Sequence, residues 1–197
     1  MKDYIKMITV LTAIAAACGL LLSAVKKGTE KAIEEQVLYN VQGPTVKDLF
    51  GYSEKIDEIM PKIIRNRKKV TIKEQVLPVF VDKENGKAKA IAFECDGMGF
   101  KDKVVVLLGF NLENDVLSGI GIVSHKETPG LGARVTEVAF RDQFKNKELT
   151  ATFKVKQDGG KIDGISGATI SSKAVCAAVE KGIEMYQAVK EKILQNK

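Results

Sequence analysis

Residues 163–172 combine glycines and hydroxyl side chains in an order that suits the binding of a phosphate. The run reads Asp163-Gly164-Ile165-Ser166-Gly167-Ala168-Thr169-Ile170-Ser171-Ser172 and leads directly into an amphipathic helical pattern. Glycines allow a tight turn and a close approach to a ligand. The first amides of the following helix lack intrahelical acceptors and favour an anion. A plain helix start, capped by Ser171 or Ser172, fits the same residues.

A second glycine-rich stretch, residues 125–134, has little side-chain chemistry of its own. It reads His125-Lys126-Glu127-Thr128-Pro129-Gly130-Leu131-Gly132-Ala133-Arg134 and contains the only histidine of the chain. Together with residues 163–172, it resembles the FMN-binding domain family. That family has an Asp-x-x-Ser/Thr-Gly-Ala-Thr signature and a Glu-Thr-Pro-Gly-Leu-Gly loop, and every position of both motifs is filled here.

The resemblance implies that FMN is bound covalently, through a phosphoester to the hydroxyl of Thr169. In this family a separate flavin transferase attaches FMN from FAD, and Asp163 would help to present the acceptor to that enzyme. We expect Leu131 and the backbone of its loop to lie against the flat isoalloxazine ring, with Arg134 as a candidate cation beside it. The cofactor-binding residues implied are Asp163, Ser166, Gly167, Ala168, Thr169, Glu127, Thr128, Gly130, Leu131 and Gly132.

The motifs, one apolar N-terminal segment and the length of 197 residues together resemble the G subunits of Rnf complexes, the ion-translocating ferredoxin:NAD oxidoreductases. The resemblance implies an electron-carrying flavoprotein subunit without a complete activity or a catalytic residue of its own. Its partners would be polytopic membrane subunits, a second subunit with covalent FMN, iron-sulfur subunits, the flavin transferase and membrane lipid. Two alternatives stay open: the C subunit of a sodium-translocating NADH:quinone oxidoreductase, and a stand-alone membrane-anchored FMN carrier for another extracytoplasmic reductase.

Other kinds of chemistry fit the sequence poorly. Residues 164–168 differ from the Gly-x-Ser-x-Gly nucleophile elbow at the last position, and that motif belongs to parallel sheets. Residues 156–161 contain Gly-Lys without the earlier glycine of a Walker motif. The three cysteines, Cys18, Cys95 and Cys176, lack metal-ligand spacing. A disulfide between Cys95 and Cys176 stays open, and two buried free thiols are the default.

Residues 5–25 are nearly all apolar and long enough to cross a bilayer, which needs about 20 residues. A cleaved signal peptide and a lipoprotein signal ending at Cys18 are the alternatives, but the residues before each cleavage point match poorly. Lysines flank both ends of the segment, so charge does not set its orientation. The family resemblance implies a single-pass protein of the cytoplasmic membrane with its FMN domain on the extracytoplasmic side.

The net charge of +6 comes from dispersed lysines and from one denser basic patch. This patch consists of Lys62, Arg65, Arg67, Lys68 and Lys69. It has no interleaved aromatic residues and no nucleic-acid-binding motif, so we expect no nucleic acid partner. A solvated basic face, or contact with anionic lipid headgroups, explains the patch instead.

Periodicity predicts a polar helical stalk over residues 26–39, ended at 42–44, and two short helices over 45–49 and 53–60, before Pro61. Four alternating runs then predict an antiparallel meander, over 76–81, 88–94, 104–110 and 116–123. Turns are expected at Asn85-Gly86, Asp96-Gly97 and residues 113–115. Residues 135–144 have helical spacing, and 152–155 have the pattern of a further strand.

The C-terminal region has the clearest helical pattern of the chain. Apolar residues that recur every three or four positions predict one buried stripe: Val175, Val179, Ile183, Tyr186, Val189 and Ile193. The predicted fold class is α+β, with an antiparallel sheet, short helices and a long C-terminal helix. We expect a transmembrane helix over residues 1–25, a membrane-proximal helical stalk and linker over 26–75, and an FMN-binding domain over 76–197.

Overall fold

The protein is described by a computed structural model that covers residues 2–72 and 74–195. The chain divides into two compact units, Met1–Asn40 and Val41–Lys197. The first unit consists of helix α1 (Lys2–Val37), which has no buried residue, and the start of a π-helical turn, Leu38–Gln42. Among the described residues, one helical stretch beginning at Lys2 is long and apolar enough to cross a membrane. Helix α1 confirms the predicted helical conformation from residue 26 as far as Val37.

The predicted helix stop at residues 42–44 is wrong. Helix α2 (Gly43–Phe50) begins there, and Pro44 stands in its first turn, where a proline removes no intrahelical hydrogen bond. Helix α2 ends before Gly51, which has a φ of 70°. Helix α3 (Ile56–Arg65) then follows and contains Pro61, so this proline does not end the helix.

A six-stranded antiparallel sheet forms the centre of the second unit, with its strands in chain order. The strands are β1 (Arg67–Ile72), β2 (Gln75–Glu84), β3 (Lys87–Met98), β4 (Lys103–Asn111), β5 (Val116–Ser124) and β6 (Lys147–Glu148). The four predicted strands correspond to β2, β3, β4 and β5, which confirms the meander. The turn at Asn85-Gly86 is also confirmed, and both of its residues have positive φ.

The sequence missed β1 and β6, and it predicted one strand that does not form. β1 carries Arg67, Lys68 and Lys69, so part of the basic patch lies on an edge strand, where lysines oppose pairing with other chains. Within residues 152–155, Val155 makes only an isolated bridge, to Ile162. Their alternation has another cause, because Phe153 and Val155 are buried core residues in a segment without strand structure.

The helical spacing of residues 135–144 corresponds to three short pieces. They are a 3₁₀ turn (Gly132–Thr136), helix α4 (Val138–Arg141) and a second 3₁₀ turn (Asp142–Phe144). The long C-terminal helix, α5 (Thr169–Gln195), is confirmed, and its predicted stripe is buried core with Ile183 only partly buried. Tyr186 of this stripe stacks on Phe110, with 4.7 Å between ring centroids.

Glycines allow α5 to lie close to the sheet. The predicted turn at Asp96-Gly97 is wrong, since both residues lie within β3. A Cβ atom at Gly97 would lie 2.0 Å from the carbonyl oxygen of Ala174 in α5, and one at Gly182 would lie 1.9 Å from Leu108. Gly97 is therefore needed for close packing of the helix rather than for a turn.

The two faces of the sheet carry different helices. Successive residues of a strand point to opposite faces. Leu108 of β4 meets α5, while the next residue, Gly109, meets Leu49 of α2.

Cys95 and Cys176 are buried free thiols, so the pair is not joined by the disulfide that the sequence left open. Burial raises the pKa of each thiol to about 12.

Candidate functional site

Three segments of the second unit enclose a cavity of about 420 Å³ at the N-terminal end of α5. The segments are the turn after β3, the loop of residues 127–132, and the first turn of α5 with the residues before it. The lining residues are Phe100, Glu127, Thr128, Leu131, Gly132, Gly167, Ala168, Thr169, Ile170 and Ser171. Two motifs that are distant in the chain therefore meet at one site, and its volume is typical of small-molecule sites.

A tight turn leads into the first turn of α5. Gly167 has a φ of 77°, in the left-handed region that favours glycine. The amide of Ala168 donates to the carbonyl of Ile165 at 2.9 Å. The hydroxyl of Ser172 accepts a hydrogen bond from the amide of Ile165 and donates one to the carbonyl of Ala168, both at 3.0 Å. Ser172 thus fixes the turn against the helix.

Thr169 is the first residue of α5 and lies half-buried on the cavity wall. Among the described residues, no hydrogen-bond partner of its hydroxyl is found. The amide of Ser172 donates to the carbonyl of Ala168 at 3.0 Å, as expected where a helix begins at residue 169. The amides of residues 169–171, which precede this first bond, have no acceptor within the helix. Thr169 therefore combines an unengaged hydroxyl with the partly positive end of a helix.

The capping explanation of Ser171 and Ser172 is not what the described residues show. Ser172 bonds to the preceding turn, and Ser171 donates its hydroxyl hydrogen to Oε2 of Glu127. Each serine therefore joins the start of α5 to another segment of the site.

The loop of residues 127–132 folds around one carbonyl group. The amides of Leu131 and Ala133 donate to the carbonyl of Thr128, at 3.2 and 3.1 Å. Gly130 has a φ of 73°, and a Cβ atom there would meet nothing within 4 Å. The side chain of Leu131 lies near the other motif. If Gly167 carried a Cβ atom, that atom would lie 3.3 Å from Cδ2 of Leu131. The two loops are thus adjacent on the cavity wall.

Glu127 is a buried carboxylate in the cavity wall, with only 5% of the residue exposed. Its Oε1 accepts a hydrogen bond from the amide of Lys101 at 3.1 Å, and its Oε2 accepts one from Ser171. Burial raises the pKa of Glu127, but the hydrogen bonds from Ser171 and from the amides of Lys101 and Phe100 outweigh burial, so the net shift is downward. Glu127 is therefore ionised at neutral pH.

Most of the predicted site residues lie on the cavity wall. They are Glu127, Thr128, Leu131, Gly132, Gly167, Ala168 and Thr169. Gly130, Asp163 and Ser166 are exposed and are not among the residues that line the cavity. Gly130 has a positive φ, so it contributes to the site by allowing the turn of the loop backbone.

Asp163 has a fixed backbone and an exposed carboxylate. The side chain of Gln143 accepts a hydrogen bond from the Asp163 amide at 2.7 Å and donates one to the Asp163 carbonyl at 3.2 Å. The Asp163 carboxylate forms a surface ion pair with Lys156, at 2.6 Å. Asp163 thus marks the surface beside the turn rather than the cavity interior.

His125 and Arg134 have local partners. The Nδ1 atom of His125 accepts a hydrogen bond from the amide of Glu127 at 3.3 Å. The guanidinium of Arg134 pairs with Glu137 at 3.0 Å and is not part of the cavity lining. Neither side chain adds a charged group to the described cavity wall.

Phe100, Ile170 and Ser171 line the cavity, although they are not among the predicted cofactor-binding residues. Phe100 and Ile170 are large apolar residues that are 68% and 50% exposed. The sequence signal for Phe100 is weak, namely an aromatic residue after Gly99 in a turn at a strand end. The contact of Ser171 with Glu127 has no sequence signal, because the two residues are 44 positions apart in the chain.

Residues 99–184, which include both motifs, match the model of the FMN-binding domain family. The chain is 32% identical over 197 aligned residues to the G subunit of the Na(+)-translocating ferredoxin:NAD(+) oxidoreductase complex of Acetobacterium woodii, covering 90% of this chain and 87% of that one. The chain belongs to the G subunit family of ion-translocating oxidoreductase complexes. The G subunit of Vibrio vulnificus is 34% identical over 128 residues, which cover 61% of this chain. This match spans 60% of the length of the Vibrio protein.

A solved structure has the same fold as this G subunit family member. It is the crystal structure of the C subunit of the Na(+)-translocating NADH-quinone reductase from Parabacteroides distasonis, with a TM-score of 0.60 and 20% identity. The likeness covers 80% of this chain and 95% of that one. The fold of the chain is therefore shared with a solved protein, beyond the segment that the family model matches.

The residues of the cavity fit FMN, the group for which the matched domain family is named. Exposed apolar side chains at its mouth, from Phe100, Leu131 and Ile170, suit contact with a flat aromatic ring. The N-terminus of α5 suits a phosphate. Thr169, the first residue of α5, lines the same cavity as these apolar side chains.

Proposed function

We propose that this chain is an electron-carrying flavoprotein subunit of a membrane-bound ferredoxin:NAD oxidoreductase of the Rnf type, which translocates ions. We propose further that its FMN is bound by a phosphoester to Thr169. The observation that carries the proposal is the meeting of an unengaged Thr169 hydroxyl, the N-terminus of α5 and both motifs at one cavity. FMN supplies the redox chemistry, since it takes up and releases electrons one or two at a time.

The N-terminus of α5 would hold the phosphate end of the cofactor. A phosphate esterified at both ends keeps one negative charge, and a helix N-terminus stabilises such a charge by about 0.3–1 kcal/mol, or about 2 kcal/mol when partly buried. A term of this size corresponds to less than a hundredfold in affinity. The covalent bond to Thr169 would therefore provide the retention, and the helix would orient the phosphate.

The ring end of the cofactor would contact the apolar side chains at the cavity mouth. Burial of apolar surface stabilises a complex by about 25 cal/mol per Å². Phe100, Leu131 and Ile170 offer such surface, since each is exposed. Leu131 and Gly167 both line the cavity, so contact with the ring would depend on both motifs.

Attachment of FMN would require a flavin transferase, and the exposed face at Asp163 suits its docking. The Asp163 carboxylate is at the surface while its backbone is held by Gln143. A carboxylate in this position can meet the metal centre of a second protein without rearrangement of the turn. Asp163 would thus act during maturation rather than during electron transfer.

Helix α1 would anchor the protein in the cytoplasmic membrane as a single pass, with the FMN domain on the extracytoplasmic side. The length and apolar composition of the helical stretch from Lys2 support the anchor. The extracytoplasmic placement of the FMN domain is inferred from the family resemblance. Protease added to intact spheroplasts should digest the domain, and full protection of the domain would contradict this orientation.

The partners would be the other subunits of such a complex, namely polytopic membrane subunits, a second covalent-FMN subunit and iron-sulfur subunits. The identity of 32% to the Acetobacterium woodii protein, over most of both chains, favours the ferredoxin:NAD oxidoreductase. The fold likeness to a C subunit of an NADH-quinone reductase keeps that complex as the alternative. Copurification from native membranes with subunits that bind NADH and ferredoxin, rather than quinone, would support the first assignment.

Intact-mass spectrometry tests the covalent attachment. Chain expressed with the flavin transferase should gain the mass of FMN less one water, and chain expressed without it should not. Thr169→Ala should abolish the gain because no acceptor hydroxyl remains. Thr150→Ala, at an exposed threonine outside the cavity, is the matched control and should keep the gain. Flavin still attached to Thr169→Ala, and mapped to Ser171 or Ser172, would overturn the assignment.

A further inference from the structure

Glu127 joins the three segments that form the cavity. Its Oε1 accepts the amide hydrogen of Lys101, in the turn after β3. Its Oε2 accepts the hydroxyl hydrogen of Ser171, in the first turn of α5. Its own backbone begins the loop of residues 127–132. One carboxylate is therefore bonded to, or part of, every wall of the cavity.

Glycines on both sides give this carboxylate its space. A Cβ atom at Gly99 would lie 2.5 Å from Oε1 of Glu127, and one at Gly132 would lie 2.7 Å from Oε2. A Cβ at Gly132 would also lie 2.6 Å from the hydroxyl oxygen of Ser171. Both glycines are therefore needed for the contacts of Glu127, whatever the cavity binds.

The charge of Glu127 is separable from its hydrogen bonds. The amide of Lys101 can only donate, so it requires an acceptor oxygen. The Ser171 hydroxyl can donate or accept, so it can rotate to accept from the NH₂ group of a glutamine. Glu127→Gln can therefore keep all of these bonds while it removes the negative charge, whereas Glu127→Ala removes both.

We propose that Glu127 is the positioning residue of this cavity: its carboxylate holds the three walls together, and its fixed negative charge lowers the reduction potential of a cofactor bound there. The charge acts because a negative group in the wall opposes the addition of an electron nearby, most strongly where water is excluded. The positioning role stands on the contacts alone, and the role of the charge rests on the proposed function.

Amide exchange in flavin-free protein tests the positioning role. The full chain is expressed without the flavin transferase, and exchange at the Lys101 amide is followed by NMR. Loss of its bond should speed exchange in Glu127→Ala about tenfold, which corresponds to about 1.4 kcal/mol. Glu137→Gln, at an exposed ion-paired carboxylate, is the control and should exchange like the wild type. Wild-type exchange at Lys101 in Glu127→Ala would overturn the positioning role.

A redox titration of flavin-loaded protein tests the charge. Glu127→Gln should raise the reduction potential of the flavin, while Glu137→Gln, which removes an exposed carboxylate outside the cavity lining, should leave it near the wild-type value. An unchanged potential in Glu127→Gln would overturn the role of the charge. Wild-type protein without flavin would contradict the proposed function and this second role together, and the exchange result would still decide the first.

Ser171→Ala keeps the test decisive if Glu127→Ala does not fold. Ser171→Ala removes the hydroxyl that donates to the carboxylate of Glu127. The buried charge of Glu127 keeps its hydrogen bond from the Lys101 amide. We expect faster amide exchange in the first turn of α5 and lower flavin occupancy at a limiting amount of transferase. Wild-type values for both would overturn the positioning role.

Discussion

Each of the two motifs contains one carboxylate, and the two carboxylates have opposite surroundings. Glu127 is buried, and its side chain is fixed by Ser171 and by the amide of Lys101. Asp163 is exposed, its backbone is fixed by Gln143, and its side chain makes only a surface ion pair with Lys156. One acid thus assembles the site from inside, while the other stands at the surface where a second protein can reach it.

The difference separates two tasks that a motif residue can perform. Burial of a charge is costly unless the charge is hydrogen-bonded, so Glu127 stabilises the native arrangement only with all its donors in place. A surface ion pair contributes little to stability. Asp163 can therefore change partners at little cost to the fold, as its proposed role during maturation requires.

Removal of each side chain should show the contrast most strongly. Glu127→Ala leaves the Ser171 hydroxyl and the Lys101 amide without their acceptor, each at a cost of about 1–3 kcal/mol. We expect a loss of about 3 kcal/mol in the free energy of unfolding. Asp163→Ala should lose less than about 0.5 kcal/mol. Urea unfolding of the detergent-solubilised chain measures both, and equal losses would contradict the contrast.

The glycines of the two motifs should differ in the same direction. A Cβ atom at Gly132 would lie within 2.8 Å of Ser171 and Glu127, whereas one at Gly164 would meet nothing closer than 3.8 Å. Gly132→Ala should therefore lose about 1–3 kcal/mol of stability through overpacking. Gly164→Ala should change stability by less than about 0.5 kcal/mol. A Gly132→Ala protein as stable as Gly164→Ala would show that the carboxylate is not confined as described.

The smallest expected effect is a dependence of stability on pH. The pKa of Glu127 is lowered in the folded state, so its ionised form contributes stability above the unfolded pKa of about 4.3, and the contribution is lost as pH falls through the folded pKa. The stability advantage of the wild type over Glu127→Gln should be present at pH 7 and should shrink below about pH 4.3. Urea unfolding from pH 7 to pH 3 measures this, and a difference that grows toward acid would contradict the sign.

The sequence predicted the elements whose signals are local. The meander and the stripe of α5 follow from periodicity, and the start of α5 at residue 169 follows the glycine and hydroxyl run. β1 was missed because a lysine-rich edge strand resembles a solvated basic segment. Residues 152–155 were predicted as a strand because Phe153 and Val155 alternate, although both fill the core from irregular structure.

The candidate site was predictable only where a motif covers it. Both motifs lie at the cavity, but neither motif predicts the bond between Ser171 and Glu127 or the exposed ring of Phe100. These features depend on how β3 and α5 are placed relative to each other, which Gly97 and Gly182 permit by close packing. Such pairwise contacts between distant residues leave no periodic pattern in one sequence.

Hydrogen–deuterium exchange of the same chain with and without covalent FMN tests most directly whether the flavin binds in this cavity. The comparison needs no substitution, because coexpression of the flavin transferase alone changes the state. Attachment should slow exchange at residues 100–101, 128–133 and 167–172. It should leave residues 47–52 and 141–145, beside a separate cavity, unchanged. Loaded protein without protection at 128–133, or with protection only at another cavity, would contradict a shared flavin site for the two motifs.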